Sequence, residues 1–376
     1  MIRNRFFSGI LAFILVFLCT FSVPCSAEGL SVSAQSAVLM DAATGQVLYQ
    51  KNAFIRLPMA STTKIMTAIV AIENSDLSKE IKVSPDATGI EGSSIYLYPN
   101  EKLTMESLVY ALLLESANDA ATAIAIEVAG SVAEFANKMN EKAEQLGLVN
   151  THFENPHGLD SDGHYTSAYD LAKLTAYALS NSTFRKICST YKKTIPLNTD
   201  EGVRVLINHN KMLRQYDGAI GVKTGFTKKS GRCLVSAAER DDLVLVAVTL
   251  RAPEDWRDHT AMLDFGFSHY TRITYAEKGE YSVSIPVVGG SVQTCTVVNA
   301  TPLAATLKKE HGAITFRIEL PRFVYAPIES GVKIGKIICL CDGKENSESD
   351  LIASEIVPKE THRMSLWTWL LSQFKK

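Results

Sequence analysis

Leu57-Pro58-Met59-Ala60-Ser61-Thr62-Thr63-Lys64-Ile65-Met66-Thr67 is the stretch that decides how the chain reads. Leu57-Pro58 breaks what precedes it, and Ser61 opens a helical pattern with Ile65, Ala68, Ile69 and Ile72 on one face. Residues three apart on a helix share a face, which sets the Lys64 amine beside the Ser61 hydroxyl. A serine hydroxyl is too weak an acid to attack a carbonyl unaided and needs a base within hydrogen-bond reach. A buried lysine near a second cation loses proton affinity and can be that base.

Two further motifs complete the set. Ser116-Ala117-Asn118 supplies a polar pair, and Lys223-Thr224-Gly225 supplies a second lysine beside a hydroxyl and a glycine. Ser-x-x-Lys alone is weak, since Ser189/Lys192, Ser330/Lys333 and Ser372/Lys375 also fit it. The other two motifs each occur once, and their order along the chain makes the trio specific. Together they are the parts needed to form and stabilise an acyl-enzyme.

Outward from Ser61 the chain predicts a mixed α/β (α+β) class. Ala37–Met40 and Gln46–Gln50 read as two strands. Leu103–Leu114 and Ala120–Val128 read as helices flanking the Ser116 loop. Ser131 with Glu134 forms a capping box, and Ser167–Leu179 reads as a helix capped by Thr166. Lys223-Thr224-Gly225 falls in a strand, Cys233–Ala238 and Leu243–Leu250 form a hairpin, and Trp256–His269 closes the unit as a helix. The expected product is an antiparallel sheet with helices on its faces and a helical insertion. From Glu277 the texture becomes short β-rich runs, a separate small all-β domain.

At 376 residues two domains are expected. A pI near 6.5 gives no electrostatic case for nucleic acid. Arg3, Arg5, the apolar run Ile10–Phe21 and Cys25-Ser26-Ala27 predict an export signal over residues 1–27. Cys188, Cys233, Cys295, Cys339 and Cys341 remain, an odd and scattered set that reads as small core residues rather than a disulfide framework. No Cys/His spacing suits zinc, and no cofactor is expected. Residues 359–376 place Met364, Leu366, Trp367, Leu370, Leu371 and Phe374 on one half of a helical wheel, with Lys375 and Lys376 on the other. That pattern predicts an amphipathic helix lying in a membrane interface, with docking on the protein's own core as the alternative.

Three lesser candidates carry a functional and a structural reading. His157 reads as a loop residue, Asp119 as a helix cap, and Arg251 either as a carboxylate ligand or as an exposed edge residue.

The neighbourhoods Glu91-Gly92-Ser93-Ser94-Ile95, Leu114–Ala121, Asn155-Pro156-His157-Gly158-Leu159 and Gly221–Thr227, with the Ser61 stretch, resemble the serine-type D-Ala-D-Ala carboxypeptidases, the low-molecular-mass penicillin-binding proteins. The resemblance covers about Ala34–Tyr270, and the C-terminal region matches that family in layout alone. It implies a β-lactamase/transpeptidase-like domain over 28–274, a β-rich domain over 275–358, and a membrane anchor after it. Ser61 would be the nucleophile and Lys64 its proton acceptor. Ser116 and Asn118 would relay protons and hold the substrate amide. Lys223 and Thr224 would hold the peptide carboxylate, and Gly225 would leave room for the substrate backbone. The N–H groups of Ser61 and Phe226 would form the oxyanion hole. Ala117 stands where a glycine is common in relatives. The implied partners are a peptidoglycan stem peptide ending in D-Ala-D-Ala, β-lactams as covalent inhibitors, and the outer face of the cytoplasmic membrane. The alternatives are a serine β-lactamase, for which Glu154 is the nearest glutamate, and a non-catalytic penicillin-recognising wall protein.

Overall fold

The computed structural model describes residues 30–198 and 202–360. The predicted signal, residues 1–27, and the predicted amphipathic tail from Thr361 onward lie outside the described residues.

The chain opens with β1 (Ser36–Asp41) and β2 (Val47–Lys51), then a four-residue 3₁₀ turn, Ala60–Thr63, that runs directly into α1 (Lys64–Asn74). Short strands β3 (Glu80–Lys82) and β4 (Lys102–Thr104) pair before the helices α2 (Met105–Leu114), α3 (Asn118–Ala129) and α4 (Val132–Gln145). Then follow α5 (Ala168–Ser180), α6 (Ser182–Cys188), the hairpin β5 (Lys192–Pro196) with β6 (Val203–Ile207), and the short α7 (Met212–Gln215). The strands β7 (Ala219–Thr227), β8 (Gly231–Arg240) and β9 (Leu243–Leu250) lead to α8 (Asp255–His269).

The antiparallel sheet runs β2-β1-β9-β8-β7 and is covered on both faces. Alternation does the sorting. Val38 and Met40 join a core with Ile65, Ile69 and Leu171, while Ala37 and Leu39 face Met262 and Leu263 of α8. β9 divides the same way, with Val246 and Val248 on the first face and Leu245 and Ala247 on the second. Side chains that alternate across a strand thus fill two cores when both faces are covered.

The β-rich part begins with β10 (Tyr270–Ala276), which follows α8 without a linker and spans the predicted boundary at 274/275. Next come β11 (Ser282–Val288), β12 (Thr294–Asn299), β13 (Leu303–Lys308), β14 (Ile314–Glu319), β15 (Val324–Tyr325), β16 (Lys333–Cys341) and β17 (Lys344–Ala353). β10 pairs with β13; the other six form one sheet in the order β14-β16-β17-β12-β11-β15. The two parts meet at a buried carboxylate. Asp41, at the end of β1, accepts from Thr306 Oγ1 of β13 at 2.6 Å, and Arg272 of β10 stands 3.5 Å from the same oxygen.

Several helix starts differ from the sequence reading: α1 opens at Lys64 rather than Ser61, α3 at Asn118 rather than Ala120 and α8 at Asp255 rather than Trp256, and α5 and α2 differ for reasons that can be named. Ser167 caps α5, its Oγ accepting from Asp170 N at 3.1 Å, while the Thr166 hydroxyl bonds Thr151 instead. α2 begins at Met105 rather than Leu103, because Leu103 is drawn into the β3–β4 pairing. The five remaining cysteines are free, four of them buried, in keeping with core packing.

Candidate active site

Ser61 sits in the 3₁₀ turn rather than on the α-helix proper, so Lys64 is the first residue of α1. The turn is held from three sides. Ala60 takes φ +47°, a left-handed conformation rare for a residue with a side chain. Gly158, at φ +87°, packs against it so closely that a Cβ there would overlap the Ala60 carbonyl. Behind it, Glu154 N donates to His164 Nδ1 at 3.0 Å. That leaves the ring proton on Nε2, which donates to Thr63 Oγ1 at 2.7 Å, and Thr63 donates on to Ala60 O at 2.7 Å. Burial pushes His164 down to about 4 and, with the Lys64 charge, His157 down to about 3, so both rings are neutral at pH 7.

The Lys64 amine is fully buried and has three acceptors. It donates to Ser61 Oγ at 3.0 Å, to Asn118 Oδ1 at 2.7 Å and to the His157 carbonyl at 2.6 Å. Burial, reinforced by the Lys223 charge and opposed by Asp119, holds its pKa well below the ordinary lysine value. The His157 loop therefore works through its backbone, as the structural reading of that residue has it. The Asn118 carboxamide is engaged at both ends, its Nδ2 donating to Glu91 O at 2.5 Å.

Asp119 is not the cap that the sequence reading expected: it lies inside the first turn of α3, whose N-cap position is Ala117 with no side-chain capping bond. Besides accepting from Ala120 N it accepts from Ser94 Oγ and from the N–H groups of Ile95 and Leu97. It pins the Glu91–Leu97 loop over the start of α3. Ser116, just before that helix, takes φ +60°, and no hydrogen bond engages its hydroxyl among the described residues.

The β7 residues close the other wall. Lys223 is buried, donates to Thr224 O at 2.8 Å, and is pushed down to about 7 by burial. Gly225 serves a purpose the sequence reading missed. A Cβ there would meet Ser61 N at 3.0 Å and Met59 O and Thr62 N at 3.1 Å, so the space it leaves is filled by the Ser61 turn. Phe226 is 66% exposed at the rim.

Ser61, Ser116, Thr224, Gly225 and Phe226 line one cleft of about 290 Å³. The larger hollows, about 550 Å³ in the β-rich part and about 560 Å³ at the junction, are lined by no serine paired with a lysine, so chemistry rather than volume marks the Ser61 cleft as the candidate. The cleft also takes in Ser93, from a quoted motif that was given no site role, and His209, Arg232, Cys233, Asp255 and Trp256, to which the sequence reading gave none either. Arg232 had a signal. It faces Phe226 across the β7–β8 ladder, but the predicted strand began at Cys233, one residue too late. Arg251 is tied to Lys229 O and Gln35 on the surface and does not line the cleft. Glu154, the glutamate weighed for a β-lactamase, accepts from Ser161 Oγ and also stands outside the cleft.

Residues 23–254 match the family model described as D-alanyl-D-alanine carboxypeptidase, and residues 270–359 match that of the penicillin-binding protein 5 C-terminal domain. The chain is 35% identical over 340 residues to a D-alanyl-D-alanine carboxypeptidase of Bacillus subtilis, covering 88% of this chain and 87% of that one. A D-alanyl-D-alanine carboxypeptidase of a Streptomyces species is 35% identical over 63% of this chain and 88% of its own. The solved structure of penicillin binding protein 5 from Haemophilus influenzae superposes with a TM-score of 0.75 at 27% identity, covering 88% of this chain and 98% of that one. With a serine hydroxyl 3.0 Å from a buried amine and both family models matched in order, the chain belongs to the D-alanyl-D-alanine carboxypeptidases, the penicillin-binding serine hydrolases of the cell wall.

Proposed function

We propose that Ser61 Oγ attacks the carbonyl between the two terminal D-alanines of a peptidoglycan stem pentapeptide. Neutral Lys64 takes the hydroxyl proton as the bond forms, and the carbonyl oxygen turns toward the N–H groups of Ser61 and Phe226. Each such donor typically lowers the barrier by about 3–4 kcal/mol. Ser116 passes the proton to the departing D-alanine nitrogen, and Lys223 and Thr224 hold its carboxylate. Water then attacks the acyl-serine with Lys64 again as base, releasing the shortened peptide. A β-lactam follows the first half of this path and remains on Ser61.

One observation carries the reading: a buried amine with lowered proton affinity stands 3.0 Å from a single serine hydroxyl. Incubation with a peptide ending in D-Ala-D-Ala, with free D-alanine assayed, tests the reaction. Mass spectrometry after benzylpenicillin tests the residue. The expected adduct is on Ser61 and absent from Ser61→Ala; an adduct elsewhere, or D-alanine release surviving that substitution, overturns the assignment.

The predicted signal and tail place the mature enzyme on the outer face of the cytoplasmic membrane, held by residues 361–376. Among the described residues no helix is long and apolar enough to cross a bilayer. Deleting the tail is expected to release the protein from membranes; retained association would reject the anchor.

A further inference from the structure

The β-rich part carries an apolar surface that the catalytic reading leaves without a purpose. Tyr325 is 69% exposed and Phe323 44%, their rings edge-to-face at 5.4 Å. With Val332 they border the hollow of about 550 Å³. Val288, also exposed, pairs with Tyr325 where β15 joins the sheet edge. Clustered exposed aromatics of this kind mark a contact surface rather than a satisfied core.

The position of the last described residues points to the partner. Val357 bridges Ile328 in the floor of the hollow, Lys359 bridges Gly290, and Glu360 N donates to Gly289 O at 2.8 Å. The last described residue before the tail, Glu360, therefore sits beside Gly289, one residue past Val288, which ends β11 and pairs with Tyr325. Charge there is mixed: Arg322 and Lys359 are exposed cations, and Glu329, Glu355 and Glu360 are exposed acids.

We propose that this end of the β-rich domain is a second, shallow membrane contact, with Phe323, Tyr325 and Val332 seated in the lipid headgroup boundary beside the tail. Tyrosine suits that depth because its ring is apolar and its hydroxyl stays wet. One anchoring helix leaves a protein free to swivel; a second contact on the folded domain fixes which end faces the lipid. The proposal rests on the tail-anchor reading and fails separately from it.

The test uses the full mature chain with vesicles of phosphatidylglycerol and phosphatidylethanolamine, read by flotation and by hydrogen exchange. Vesicles should protect residues 321–334, and Phe323→Ser/Tyr325→Ser should weaken partitioning by about tenfold with penicillin acylation unchanged. Equal partitioning of both proteins, with 321–334 unprotected, overturns the second contact and leaves the anchor standing. No binding by the full chain overturns the anchor, and this contact with it. Protection present without vesicles and lost on deleting 361–376 overturns the lipid assignment in favour of the tail lying in the hollow. Protection that rises with protein concentration alongside a doubled mass overturns it in favour of a second copy.

Discussion

Lys64 has three acceptors around it and, when charged, three hydrogens to give them. As a neutral amine it keeps two for Asn118 and His157 and turns its lone pair to Ser61, so in the proposed mechanism loss of one proton converts a donor to Ser61 into its base. Lys64→Ala should therefore lower the penicillin acylation rate by roughly 10²–10⁴-fold with the melting temperature little changed. Stopped-flow acylation and thermal denaturation check the two halves. Lys223 gives a second prediction with a definite sign. Its amine, at about 7, is charged below that pH and neutral above it, and a peptide carboxylate prefers the charged form. The KM of a carboxylate-ended peptide should rise about tenfold per pH unit above pH 7, while a carboxamide-ended analogue shows no such rise. A flat KM from pH 6 to 9 would remove Lys223 from carboxylate binding. Ser61 and Lys64 were legible together from their spacing of three, and Asn118 from its own motif, which the fold brings to the Lys64 amine from 54 residues away. The His157 carbonyl was not, because a backbone contact does not depend on side-chain type. His164 was not, because its partner Thr63 is 101 residues away.

Elements were legible where local pattern and tertiary packing agree. The helices around Ser116 and the β8–β9 hairpin follow the predicted course to within two residues or so. β17 was missed for a physical reason. Its sequence Lys-Glu-Asn-Ser-Glu-Ser-Asp is polar, yet it is an interior strand, held by the ladder to β16 and by ion pairs from Lys333 to Asp350 and from Lys336 to Glu348. Cross-strand pairs override propensity there. The β5–β6 hairpin was missed because it buries little beyond Ile195 and Leu206 and gives weak alternation. The cap of α5 separates two adjacent hydroxyls. Ser167→Ala should cost about 1 kcal/mol in urea unfolding and Thr166→Ala less, since only the former bonds the Asp170 N–H; the reverse order would reinstate Thr166 as the cap.

On the scale of the whole molecule, the change of texture near Glu277 made two parts legible, but nothing local announced how they are joined. The tie runs from Asp41 to Thr306, 265 residues on, and to Arg272. Asp41 is fully buried, so losing its cation leaves a charge that water cannot reach. Arg272→Ala should cost about 3 kcal/mol and split a single calorimetric transition into two, while acylation at 25 °C is retained. One unsplit transition at the native midpoint would show that the carboxylate does not couple the parts. The seam at His269 and Tyr270 extends this argument. A helix that becomes a strand with no spare residue works as a fixed bracket, so the mouth of the enzyme keeps one bearing relative to the foot of the molecule. With the tail as the proposed footing, the distance from it at which a wall peptide would be trimmed is set by the length of the β-sheet, and a few added strand residues would change that reach without touching the proposed chemistry.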